Sequence, residues 1–156
     1  MTKVTLPPLP IKGGCQCGQL RYALKAKPVA FLVCHCTNCQ RHTSSAFGES
    51  LFADRGDVEF SGRLASHEWT ADSGNRREGL FCPDCGTRLW HGSAGRTLGN
   101  IKAGTLDDPS WLVPAAHIWT RSKQPFLAIP ADALTYETQP TDGNAAILAR
   151  WAEMTS

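Results

Sequence analysis

Seven cysteines are the residues of this chain whose type and spacing could do chemistry, and they fall into three groups. Cys34-His35-Cys36-Thr37-Asn38-Cys39 places thiols at i, i+2 and i+5. If the first half is extended, Cys34 and Cys36 point to one side and His35 to the other. Cys36-x-x-Cys39 has the two-residue spacing that wraps a turn around a metal ion. The remaining four form the pairs Cys15-x-Cys17 and Cys82-x-x-Cys85. Four thiolates close a structural zinc site, whereas three protein ligands leave one tetrahedral position for a substrate or water. The expectation is two zinc ions per chain. One is closed by Cys15, Cys17, Cys82 and Cys85; the other is held in an open site by Cys34, Cys36 and Cys39.

Spacing leaves two alternatives. The second group could be another structural site, closed by His42, His67 or His91. Alternatively, Cys36 and Cys39 could join Cys82 and Cys85 in an ordinary zinc ribbon, which would orphan both C-x-C arrangements. The open site has its own chemical character. A divalent ion with three thiolates carries one net negative charge, so it is a weak Lewis acid and acidifies water poorly. Hydrolysis is disfavoured. A sulfur-rich site suits a fourth sulfur ligand, and a thiol bound there is held as the nucleophilic thiolate.

The elements that must position these groups read as mostly β. Prolines make residues 1–10 an irregular arm. Residues 11–18 carry the first pair among glycines, which let the backbone bend close to an ion. Apolar alternation or short apolar runs predict strands at 19–24, 29–33, 47–53, 58–60, 64–70, 78–81, 89–91, 98–103 and 115–120. Turns are expected at 54–57, 61–62, 72–75 and 107–109. Cys82-Pro83-Asp84-Cys85-Gly86 reads as a metal knuckle. Residues 37–44 predict one or two helical turns with Thr37 as N-cap. Residues 144–154 predict a short C-terminal helix, capped by Asn144, with Ile147, Leu148, Trp151 and Met154 as its apolar stripe. His35 should pack away from the ligands. His91, His117, Trp90, Trp111 and Trp119 read as core, and Arg41, Arg76 and Arg77 as solvated charges.

A chain of 156 residues with five Trp, six Phe and two Tyr can bury a real core. It is expected to form a single zinc-binding domain over residues 1–156, with its core at 11–126. A formal charge of +2 argues against nucleic acid or an anionic membrane as partner. No apolar run has the length of a membrane span, and residues 1–14 lack a hydrophobic signal region. The reading is a cytoplasmic protein with reduced thiols, and the odd cysteine count agrees with it.

The motifs together resemble the glutathione-dependent formaldehyde-activating enzyme family, which includes centromere-protein-V-like proteins. The matching pieces, in the family's order, are Gly14-Cys15-Gln16-Cys17-Gly18, Cys34-His35-Cys36-x-x-Cys39 and Ser45-Ala46-Phe47. Phe81-Cys82-Pro83-Asp84-Cys85-Gly86, Ala103 to Pro109 and His117-Ile118-Trp119-Thr120-Arg121-Ser122-Lys123 follow. The resemblance implies a mostly antiparallel β-tent fold with zinc between its sheets. It implies that Cys15, Cys17, Cys82 and Cys85 are structural and that Cys34, Cys36 and Cys39 form the three-ligand catalytic site. The implied reaction is carbon–sulfur lyase or synthase chemistry, joining glutathione and formaldehyde as S-(hydroxymethyl)glutathione. The alternative is a non-catalytic thiol-binding or zinc-dependent interaction module. Arg41-His42-Thr43-Ser44 stands where many members carry threonine-glycine, and Phe126 where tryptophan is frequent.

Overall fold

The computed structural model describes residues 1–71 and 74–156. Asp72 and Ser73, half of the turn expected at 72–75, lie outside the described residues. The chain begins with β1 (Ile11–Gly14), β2 (Arg21–Leu24) and β3 (Ala30–Cys34). Helix α1 (Thr37–Thr43) and β4 (Gly48–Asp54) follow. Next come β5 (Val58–Ser61), β6 (Ala65–Thr70), β7 (Arg76–Phe81), β8 (Arg88–Ser93) and β9 (Leu98–Lys102). The last elements are β10 (Ala116–Ile118), β11 (Leu134–Thr135) and helix α2 (Ala145–Met154). The protein is mostly β, with two α-helices among the described residues, the second of them short and C-terminal.

The chain divides into two compact units, neither contiguous in sequence. The first comprises Met1–Leu6, Val29–Ser50 and Trp111–Ser156. Its centre is β3, whose five residues are all buried, as a continuous apolar run predicts. β10 lies parallel to β3, with His117 beside Val33 and Ile118 beside Cys34, and β11 lies parallel to β10. The pairing here is parallel, a local exception within the mostly antiparallel arrangement expected; partners so far apart in sequence leave no turn signal between them. Helix α2 buries Ile147, Trp151 and Met154, and the Trp151 ring meets Phe31 of β3 edge-on at 6.5 Å. Leu148 is only half-buried.

Both predicted helix caps are corrected. Asn144 sits at φ 72° with no side-chain capping bond. Asp142 instead accepts from the N–H groups of Asn144 and Ala146, each at 3.0 Å. At α1 the cap is Cys36, not Thr37, and its Sγ accepts from the Cys39 N–H.

The second unit comprises Pro7–Pro28 and Leu51–Ser110. β1, β2 and β5 form an antiparallel three-stranded sheet, and β9, β8, β7 and β6 follow one another as antiparallel neighbours. The sequence pattern assigns no strand to residues 11–14 and gives the glycines of 11–18 the role of bending the backbone close to an ion. Gly13 is instead required in the strand, since any Cβ there would strike the Tyr22 ring and the Thr105 carbonyl. Tyr22 reaches Thr105 Oγ1 at 2.8 Å, and Arg21 forks onto the Asp107 carboxylate. Trp90 is buried as expected, but Trp111 and Trp119 are half-buried. Among the described residues no helix is long and apolar enough to cross a membrane.

Candidate metal centres

The four cysteines of the second unit meet although the two pairs lie far apart in sequence. The glycine-flanked turn after β1 presents Cys15 and Cys17, and the knuckle after β7 presents Cys82 and Cys85. Their sulfurs all lie within 4.8 Å of one another. Two of the edges measure 3.5 Å (Cys15 to Cys17) and 3.8 Å (Cys17 to Cys82). A tetrahedral ion with metal–sulfur bonds of about 2.3 Å needs sulfur separations of about 3.8 Å. The cluster fits such an ion.

Donors surround these sulfurs. Leu20 N–H donates to Cys15 Sγ at 3.3 Å, and Gln19 Nε2 donates to Cys82 Sγ at 3.0 Å. The Thr87 hydroxyl lies 3.2 Å from Cys85 Sγ. Contact with Thr87 comes first among the causes that lower the Cys85 thiol to about 5. Burial raises Cys82, but the Gln19 carboxamide and the Cys85 and Asp84 N–H groups outweigh it, and its net shift is downward. The Gln19 N–H lowers Cys17, yet contacts with Cys15, Cys82 and Cys85 carry it up to about 12. Opposed shifts of this kind mark sulfurs crowded together, and a cation would relieve the crowding.

The three-cysteine group belongs to the first unit. Buried β3 delivers Cys34, and the turn into α1 delivers Cys36 and Cys39. The three sulfurs lie within 4.8 Å of one another, and no fourth histidine, cysteine or carboxylate joins them among the described residues. Cys34 and Cys39 are buried, and Cys36 is the half-exposed member. The Cys39 N–H donates to Cys36 Sγ at 3.3 Å. Contacts with Cys34 and then Cys39 hold the Cys36 thiol down to about 2, and the same contact with Cys36 pushes Cys34 far above the thiol range. The opposed shifts of Cys34 and Cys36 make Cys36 the member on which negative charge is best stabilised. Gly48 closes one side. A Cβ at that position would lie 3.0 Å from Cys39 Cβ and 3.2 Å from its Sγ.

The histidines raised as closing ligands, His42, His67 and His91, join neither group, and Cys82 and Cys85 group with Cys15 and Cys17 rather than with Cys36 and Cys39. His35 turns into the core. Its Nε2 lies 3.0 Å from His117 Nδ1, the two rings stack, and Phe47 meets it edge-on at 5.9 Å. Burial, with His35 beside it, lowers His117 to about 4, and burial likewise lowers His35. Arg41 is exposed. Arg76 pairs with Glu68, and Arg77 donates to Ser93.

Sequence reasoning missed Gln19 and Gln40. Gln19 holds Cys82 through its side chain and Arg63 through the same carboxamide, across 63 and 44 residues. Gln40 donates to the His35 and Ser122 carbonyls, both at 2.9 Å. A glutamine carries no short-range signal for such a role; only the adjacency of each to a cysteine motif could have drawn attention to it.

The family model described as glutathione-dependent formaldehyde-activating enzyme matches residues 10–122. No curated protein matches the chain. Among solved structures, the crystal structure of a Rhodobacter sphaeroides protein, a structural-genomics target, is similar with a TM-score of 0.51 and 15% sequence identity. The likeness covers 81% of this chain and 99% of that one. At this identity it concerns the fold alone.

Proposed function

Because the chain belongs to the glutathione-dependent formaldehyde-activating enzyme family, we propose that it is a zinc-dependent carbon–sulfur lyase or synthase. It joins or releases a small thiol, such as glutathione, and an aldehyde, such as formaldehyde, at Cys34, Cys36 and Cys39. The observation that carries this reading is the convergence of three sulfurs with no fourth side-chain ligand among the described residues. Cys15, Cys17, Cys82 and Cys85 hold the structural zinc. A zinc ion at the three-cysteine group would favour the thiolate form of a thiol added there.

The chain's own residues prepare the reaction in three ways. Buried Cys34 and Cys39 fix two ligand positions, and Cys36, half-exposed, is the member of the group that solvent reaches. The Cys39 N–H stabilises negative charge on the Cys36 sulfur. Gly48 lets β4 approach Cys39 closely enough to shield that flank from water. In the forward direction the thiol loses its proton, the sulfur–carbon bond forms, and the carbonyl oxygen takes up a proton. Reduced thiols at every cysteine suit a reducing compartment, and we place the protein in the cytoplasm.

The test is turnover. Glutathione and formaldehyde should combine faster with the protein than without it, and Cys36→Ser should return the rate to the uncatalysed background. Saturable glutathione binding with no rate above background would replace the enzymatic reading with that of a thiol-binding module.

A further inference from the structure

We propose that Gln40 is the positioning residue of the three-cysteine group, setting the ligand geometry that a bound metal meets. The inference rests on the reading of that group as a metal site. Gln40 follows Cys39 directly and lies in α1. Its Nε2 donates to the carbonyl of His35, the residue between Cys34 and Cys36, at 2.9 Å. The same nitrogen donates to the Ser122 carbonyl at 2.9 Å, in the turn that follows β10. Its Oε1 accepts from Gln124 Nε2 at 3.1 Å. Both amide hydrogens and the amide oxygen are therefore engaged, and the side chain has one orientation that satisfies all three partners.

The consequence for the ligands is geometric. The carboxamide joins the backbone after the third cysteine to the peptide between the first two. It closes a small ring around the turn that carries Cys36. Rotation of the His35 peptide, which would swing the Cys34 and Cys36 sulfurs apart, must break this bond. The Ser122 and Gln124 contacts prevent the amide from following such a rotation. Backbone bonds add to the arrangement: the His35 N–H donates to the Ile118 carbonyl at 2.9 Å, and the Gln40 N–H to the Cys36 carbonyl at 3.0 Å. A site with three protein ligands lacks the fourth bond that would otherwise enforce its shape, so its affinity depends on how well the three are held beforehand.

The experiment compares wild type with Gln40→Met, which keeps the length of the side chain and removes all three hydrogen bonds, and with Gln124→Met, which removes one. Zinc-loaded proteins are titrated with a chromophoric chelator, and the loosely held site is then refilled with cobalt for absorption spectroscopy. In Gln40→Met the labile metal should bind about tenfold more weakly and the sulfur-to-cobalt bands should shift. The tightly held metal should be unchanged. Gln124→Met should move both readouts in the same direction by less, and it reports even if Gln40→Met does not fold. Wild-type affinity and spectrum in both variants would overturn the inference, as would equal weakening of both metals, which marks a general loss of stability. A wild-type protein that takes up no labile metal would overturn the underlying metal reading itself, and this inference with it.

Discussion

At the scale of single residues, Cys36 and Cys82 should respond differently to the same substitution. Cys82 is fully buried, belongs to a four-sulfur cluster and accepts from Gln19. Cys82→Ser should lower the melting temperature strongly, because a closed zinc site contributes folding free energy directly. Cys36 is half-exposed and belongs to a three-member group. Cys36→Ser should remove the labile metal and leave a folded protein. Metal analysis and thermal melts of the two variants check this, and the reverse order of melting temperatures would exchange the two roles. His117 gives a pH prediction. Its folded value is about 4, against an ordinary 6.5. As pH falls from 6.5 towards 4 the unfolded chain binds a proton that the native state refuses. The contribution is thus complete above pH 6.5 and is lost as pH falls through 4, amounting to no more than about 3 kcal/mol. Urea midpoints should decline less steeply over that window in His117→Gln than in wild type.

At the scale of elements, the cysteine-bearing turns were readable because ligand spacing is a local property: Cys36-x-x-Cys39 and Cys82-x-x-Cys85 need only a turn to converge. Some strands around them were readable from alternation, as in β2. Other features depend on partners remote in sequence. β1 is a strand because Gly13 allows Tyr22 to come close, and β10 is parallel to β3 across more than 80 residues. The caps failed for a different reason. Thr37 and Asn144 have the right side chains, but Cys36 and Asp142 lie where the free N–H groups point. Helix α2 packs Trp151 against Phe31. Trp151→Ala should cost about 3–5 kcal/mol in urea unfolding, whereas Asp142→Ala should cost about 1 kcal/mol. Gly48→Ala should loosen the labile metal, since its methyl would press on Cys39; chelator competition measures it.

At the scale of the whole molecule, the chain passes between its two compact units four times, counted from the five segments that compose them. Neither unit can be cut out as one stretch, and we propose that the chain folds as a single zinc-binding domain. Thermal unfolding of the zinc-loaded protein should then be one transition by both near- and far-ultraviolet circular dichroism; two separated transitions would argue for independent units. The composition agreed with a core of this size, but it carried no information about which thiol or aldehyde the protein meets. That depends on side chains around the three cysteines, and none of them announces itself by type.

The central claim is that a small thiol joins Cys34, Cys36 and Cys39 at one metal ion. Calorimetric titration of the zinc-loaded protein with glutathione and with S-methylglutathione tests it most directly. Glutathione should bind, and binding should strengthen as pH rises towards the thiol's own pKa, because the proton must leave when the sulfur becomes a ligand. The methylated compound cannot form a thiolate and should bind far more weakly, and Cys36→Ser should abolish the difference. Equal affinity for the two compounds would place the ligand elsewhere and contradict the account.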